Sequence, residues 1–333
     1  MTNIESLVPD GFSGCVSVSR DGSIVFRKAF GYADKANERL NTVDTRFATA
    51  SAGKFFVAIA VMRLVEEGRL GLEDPIGSIL RFDLRAIDPG VTIRQLLTHT
   101  SGVPDYFDES VMDEYADLWV DFPCYRIRRS ADLLPLFVDK PMMYPAGQRF
   151  QYNNSGFVLL DLAIEAVTGA PFDRFLSQAV FDPAGMSSTG YYETDRLPSR
   201  CANAYIYDEE REEYYTNIFS VDAKGTGAGG AFTTAPDVSS LWRALLSGGL
   251  LPTARVEELL TARIEDEDEF YGYGVWLAKR NGALVPYFQG CDPGVSFISS
   301  LERSRGLEIT IESNQCDDVW ALERSIYEAM AGR

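Results

Sequence analysis

With 333 residues, 46% of them hydrophobic and 24% charged, the chain is long enough for one large domain or two interleaved ones around a substantial core. A net charge of −18 repels phosphate backbones and anionic lipid surfaces, which argues against nucleic acid or a membrane as a partner. The 5 cysteines are scattered, odd in number and free of C-x-x-C spacing, a pattern of reduced thiols that excludes a disulfide framework or a zinc site from the expectation.

In chain order, Met1-Thr2-Asn3-Ile4-Glu5-Ser6 shows neither the basic start nor the apolar stretch of a signal peptide. The expected compartment is therefore the cytoplasm, or an extracytoplasmic one if a leader has been removed. Cys15–Ser19 and Ser23–Phe26 read as strands joined by the turn residues Asp21-Gly22. Ser51 to Glu67 reads as a helix, apolar on nearly all sides from Phe55 to Met62, hence buried but too short to span a bilayer, and ended by Gly68. Further helices are expected over Ser155–Thr168, Pro236–Ser247 and Asp317–Met330. Tyr205 to Tyr215 reads as a hairpin, either at the rim of a pocket or simply as ordinary exposed strands, and the acidic run Glu265–Glu269 as a solvated loop. Toward the end, Tyr273–Ala278, Ala283–Phe288, Val295–Ser299 and Leu307–Ile311 are short runs rich in β-branched and aromatic residues with Asn-Gly, Pro-Gly and Arg-Gly turns between them. Short connections favour antiparallel pairing. The expected fold is α+β: a sheet of about five strands drawn from both termini and flanked by helices. Residues 1–82 and 220–333 would form the sheet domain, and 83–219 a mainly helical insert.

The chain has 1 histidine, His99, and no G-x-S-x-G elbow, so a Ser-His-Asp triad has little to build on. No acid is spaced to orient His99, and a hydrogen-bonded structural role is expected for it. Another base is needed. Ser51-Ala52-Gly53-Lys54 offers one, because residues three apart share a helical face and the lysine amine can reach the serine hydroxyl. A helix N-terminus also presents N–H groups to a developing oxyanion, and burial beside Phe55 and Phe56 would lower the lysine pKa. On spacing alone, a surface lysine beside a helix cap accounts for the pair better. Tyr152-Asn153-Asn154 is the second element. A phenol whose pKa is lowered by nearby cations can shuttle a proton, and an amide can hold a carbonyl or orient a lysine. Taken alone, that segment reads more simply as a turn tyrosine followed by an asparagine N-cap.

Together these segments resemble the serine β-lactamase and penicillin-binding-protein superfamily, and within it the class C β-lactamase-like branch that also holds DD-peptidases, D-aminopeptidases and esterases. The resemblance runs from Thr45–Ala50 ahead of Ser51 and Lys54, through Leu64–Leu70, Leu72–Pro75 and Leu96–Gly102. It continues in Pro145–Gly147, Tyr152–Gly156, Gly185-Met186 before Thr189-Gly190, Gly229–Ala231 and Tyr271–Gly274. It implies an acyl-enzyme mechanism without metal or cofactor: Ser51 attacks a carbonyl, Lys54 and Tyr152 relay protons, Asn154 contacts the substrate, and water releases the acyl group. The implied substrate is a small-molecule or peptide acyl compound, β-lactams included; oligomeric state is not legible.

The family's third motif, usually K-T-G or H-x-G a few residues before Pro-Gly, is altered. Counting back from Pro293-Gly294 gives Phe288-Gln289-Gly290, then Cys291 and Asp292. The resemblance makes these four, Phe288 to Cys291, substrate-binding positions, with Gly290 and Cys291 offering backbone N–H groups to an oxyanion. The cation that pairs with a substrate carboxylate is missing. Two readings follow. Either the substrate lacks that carboxylate, as for esterases of the family, or turnover is impaired and the chain is a penicillin-binding protein acylated with little release, or a ligand-binding homologue.

Overall fold

The computed structural model describes residues 3–266 and 269–331. Strand β1 (Gly14–Arg20) turns through Asp21 and Gly22, both at positive φ, into β2 (Ser23–Phe30), the conformation a two-residue hairpin turn demands. Six strands from the C-terminal part complete the sheet: β3 (Ile264–Asp266), β4 (Glu269–Tyr271), β5 (Trp276–Arg280), β6 (Ala283–Asp292), β7 (Val295–Glu302) and β8 (Leu307–Ser313). All pair antiparallel in the order β2-β1-β8-β7-β6-β5-β4-β3.

The sheet therefore has eight strands, not the five or so expected. The difference lies largely in the acidic run. Read as a solvated loop, it instead supplies much of β3 and the start of β4; residues 267 and 268 lie outside the described set. Phe270 and Tyr271 pair with Leu277 and Trp276, and this cross-strand pairing overrides the poor strand propensity of the neighbouring acids. Charged side chains on an outermost strand also oppose further edge pairing.

Four longer helices follow the expected positions: α1 (Gly53–Glu66), α2 (Asn154–Thr168), α3 (Ala235–Leu246) and α4 (Val319–Ala331). Left-handed Gly68 and Gly169 close the first two. Thr234 caps α3 by accepting from the Asp237 N–H. No side chain caps α1, a loss of about 1 kcal/mol. Full burial of Phe55 and Phe56, worth roughly 2–3 kcal/mol each, outweighs it and leaves the first N–H groups of the helix for other work.

Helix α1 runs through the main core, sharing one apolar cluster with Phe288 and Phe297 of the sheet, Trp242 of α3 and Phe157 of α2. On the opposite sheet face, Val319, Leu322, Ile326 and Met330 of α4 cover Val16, Val18, Ile298, Ile309 and Ile311. Between α1 and α3 the chain passes through short helices, 3-10 turns, α2 and the hairpin Tyr205–Asp208 with Glu213–Thr216. Among the described residues no single helix is long and apolar enough to cross a membrane.

Candidate active site

Ser51 lies in the 3-10 turn Ala50–Ala52 that leads into α1, and the three-residue spacing brings Lys54 onto its face. Lys54 is 2% exposed. Its Nζ donates to Ser51 Oγ (2.9 Å), Asn154 Oδ1 (2.8 Å) and the Ala228 carbonyl (2.5 Å). None of these acceptors is a carboxylate; Glu109, Asp105 and Asp292 act on the amine only through space. Burial prevails, bringing the Lys54 pKa down to about 8. A lysine at that value is roughly 300-fold more deprotonated at neutral pH than an unperturbed one. Ala50, immediately before Ser51, is a non-glycine residue at φ 47°, held there as its carbonyl accepts from Gly230 N–H (3.0 Å). Strain of this kind clusters at functional sites.

The N-terminus of α2 forms the facing wall. The N-cap is Asn153, whose Oδ1 accepts from Gly156 N–H (2.7 Å), which frees Asn154 for Lys54. Asn154 Nδ2 in turn donates to the Phe107 carbonyl (3.1 Å). Asp105 accepts from the backbone N–H groups of Asn154 (2.8 Å) and Ser155 (3.0 Å), and burial pushes it up to about 6. His99 Nδ1 accepts from the Asn153 N–H (3.1 Å). Its proton must then sit on Nε2, facing Tyr271 Oη at 3.0 Å. Burial and the Lys54 charge hold His99 well below its usual pKa, so it is a neutral brace.

Tyr152 packs its ring between His99 (centroids 4.4 Å) and Trp276 (6.0 Å), with Lys54 Nζ 4.9 Å from the ring centre. Ser51 lies close enough to the Tyr152 phenol to favour the ionised form slightly. The lowered pKa expected from nearby cations is not found. Desolvation by this packing, reinforced by Glu109, holds the phenol well above its ordinary value. Tyr152 is thus a neutral O–H at pH 7, able to pass a proton but not to start as phenolate.

At the third motif, Gly290 lies against the Ser51 turn. A Cβ there would come 2.2 Å from the Thr49 carbonyl and 2.7 Å from Ser51 N. The pairing of β6 with β5 ends at Tyr287, while its pairing with β7 continues to Asp292. Beyond Tyr287, alternate backbone groups of β6 therefore point away from β7 toward Ser51. Two expected binding side chains do not face the cleft. Phe288 is 1% exposed and stacks on Phe55 (4.9 Å), with Trp242 and Phe297 around it. Gln289 alternates to the other face, where its Oε1 accepts from Trp320 Nε1 (2.5 Å). Cys291 is exposed. Gly290→Ala is expected to lower the melting temperature and to slow reaction at Ser51 about a hundredfold, because the obstructing atoms are backbone and the strand or the Ser51 turn must shift to admit the methyl group. Labelling rate and melting temperature measured on the same sample check this.

The cleft over Ser51 and Asn154 is walled by Tyr106, Tyr115, Asp222 and Asp292, with Thr216 from the hairpin at its edge. Sequence reasoning missed Asp105, the Ala228 carbonyl and Asp222. Asp105 lies three residues beyond the Leu96–Gly102 segment, but no spacing rule links it to a helix start 49 residues away.

A family model described as Beta-lactamase matches residues 9–304. The chain is 32% identical to Penicillin-binding protein 4* of Bacillus subtilis over 86% of its own length and 64% of that protein's. It is 34% identical to Esterase EstB of Burkholderia gladioli over 56% of its own length and 48% of that protein's. The crystal structure of a penicillin binding protein from Bacillus halodurans superposes with a TM-score of 0.94 at 39% identity, covering 98% of this chain and 100% of that one.

Proposed function

Because the chain belongs to the β-lactamase family, we propose that it is a serine hydrolase that forms an acyl-enzyme on Ser51 from an ester or amide and releases the acyl group to water. The observation that carries the reading is the buried Lys54 amine, 2.9 Å from Ser51 Oγ and without an ion-pair partner among the described residues. In its neutral form the amine takes the hydroxyl proton as Oγ attacks the carbonyl. The Ser51 N–H and a backbone N–H of the Gly290-Cys291 segment stabilise the oxyanion. Tyr152, a neutral phenol beside Ser51, passes a proton to the leaving group. Asn154 holds Lys54 by its Oδ1 (2.8 Å) and stands at the cleft wall, where it can also contact the substrate.

A substrate without a carboxylate at that position is favoured because no cation occupies the third motif; the buried Phe288 stands in its place. The penicillin-binding reading draws on the relatives of that name. Hydrolysis of short-chain nitrophenyl esters, compared with acylation by benzylpenicillin, separates the two. Ester turnover that vanishes in Ser51→Ala, with slow penicillin labelling, is the expected outcome. Rapid, persistent penicilloylation without ester turnover would replace the hydrolase reading with the penicillin-binding one.

A further inference from the structure

Among the described residues the cleft around Ser51 is lined by two acidic side chains, Asp222 and Asp292, and by no lysine, arginine or histidine. Asp222 accepts from Tyr115 Oη (3.2 Å), and Asp292 has no side-chain hydrogen bond or ion pair among the described residues. Asn217, 7% exposed, lines the same cleft. Its Nδ2 donates to the Pro293 carbonyl (2.8 Å), which fixes the amide's orientation and leaves Oδ1 as an acceptor without a donor among the described residues. Three acceptors thus border the cleft, and among the described residues the nearest cation is Lys54, which acts on Asp292 only through space. Burial pushes Asp292 up to about 7 and, with Asp292 beside it, Asp222 to about 8, a cost that a cation between them would offset. Tyr106 and Tyr115 on the same wall add aromatic surface of the kind that favours an ammonium group.

We propose that the cleft takes esters or amides bearing a free, positively charged amine near the scissile carbonyl, with Asp222, Asp292 and Asn217 Oδ1 as its acceptors. The ester or amide part rests on the hydrolase reading above; the amine site does not. It is therefore tested by binding rather than turnover. Calorimetry on Ser51→Ala protein compares leucine amide, in both enantiomers, with the matching N-acetyl-leucine amides. At least one free amine should bind about tenfold or more tightly than its acetylated form, as charge-assisted hydrogen bonds require. Adding Asp222→Asn and Asp292→Asn should bring that ratio close to one. Equal binding of amine and acetyl forms, binding of neither, or a ratio that survives both substitutions overturns the proposal. Should the double substitution fail to fold, Asp292→Asn alone carries the comparison, since its side chain has no protein hydrogen bond to lose. Failure of the hydrolase reading shows separately, as absence of ester turnover in the unaltered protein.

Discussion

Lys54→Ala is expected to slow acylation of Ser51 by about two or more orders of magnitude, the usual contribution of a general base. The size follows from the surroundings of the amine. It sits within 2.9 Å of Ser51 Oγ, and among the described residues no second base stands beside that hydroxyl. Tyr152 is held neutral by desolvation, and His99 spends both ring nitrogens on Asn153 and Tyr271. The pH dependence has a definite sign. A base works unprotonated, so the wild-type rate should rise about tenfold per pH unit below the Lys54 pKa of about 8 and level off above it. Stopped-flow acylation by an activated ester, with far-ultraviolet circular dichroism to verify folding, measures both. An unchanged rate in Lys54→Ala removes the lysine from the mechanism.

Phe288→Lys restores the family's cation by sequence position, and the expected result is loss of fold rather than a gained carboxylate site. Phe288 is 1% exposed and lies among Phe55, Phe56, Trp242 and Phe297. Removing such a ring costs about 3–5 kcal/mol, and an unpaired ammonium in its place adds several more. Such a sum is comparable to the whole stability of many domains. Chemical denaturation should therefore show a protein largely unfolded or destabilised by that amount. A stable variant with improved turnover of carboxylate-bearing substrates would mean that position 288 faces the cleft after all.

The parts of the fold legible in the sequence are those where a local pattern and the tertiary environment agree. The apolar run Phe55–Met62 lies in a helix buried on all sides, and the turns at Asp21-Gly22 and Pro293-Gly294 separate strands that pair as neighbours. The last two strands of the sheet, Ile264–Asp266 at the edge and Glu269–Tyr271 beside it, were hidden because their acids disfavour strands, and only their pairing with each other and with Trp276 and Leu277 selects that conformation. At the site the structure brings Ser51, Lys54 and Asn154 together, a grouping that the resemblance implied, whereas spacing alone favoured a surface lysine and a capping asparagine. The details that escaped are long-range. A string of letters does not say that Asn153 is the cap and Asn154 the ligand, that Asp105 holds the start of α2, or that the pleat turns Phe288 into the core and Gln289 to the far face. Each depends on which face of an element meets its neighbour, a choice made by packing.

The central claim is that a buried, partly neutral amine activates the Ser51 hydroxyl. Its most direct test is the intact mass of the protein after timed exposure to a fluorophosphonate across pH 5–10, with the site located by peptide mass. The account predicts one adduct, on Ser51, forming at a rate that climbs with pH and levels near the Lys54 value of about 8. No adduct, an adduct elsewhere, or a rate indifferent to pH would contradict it.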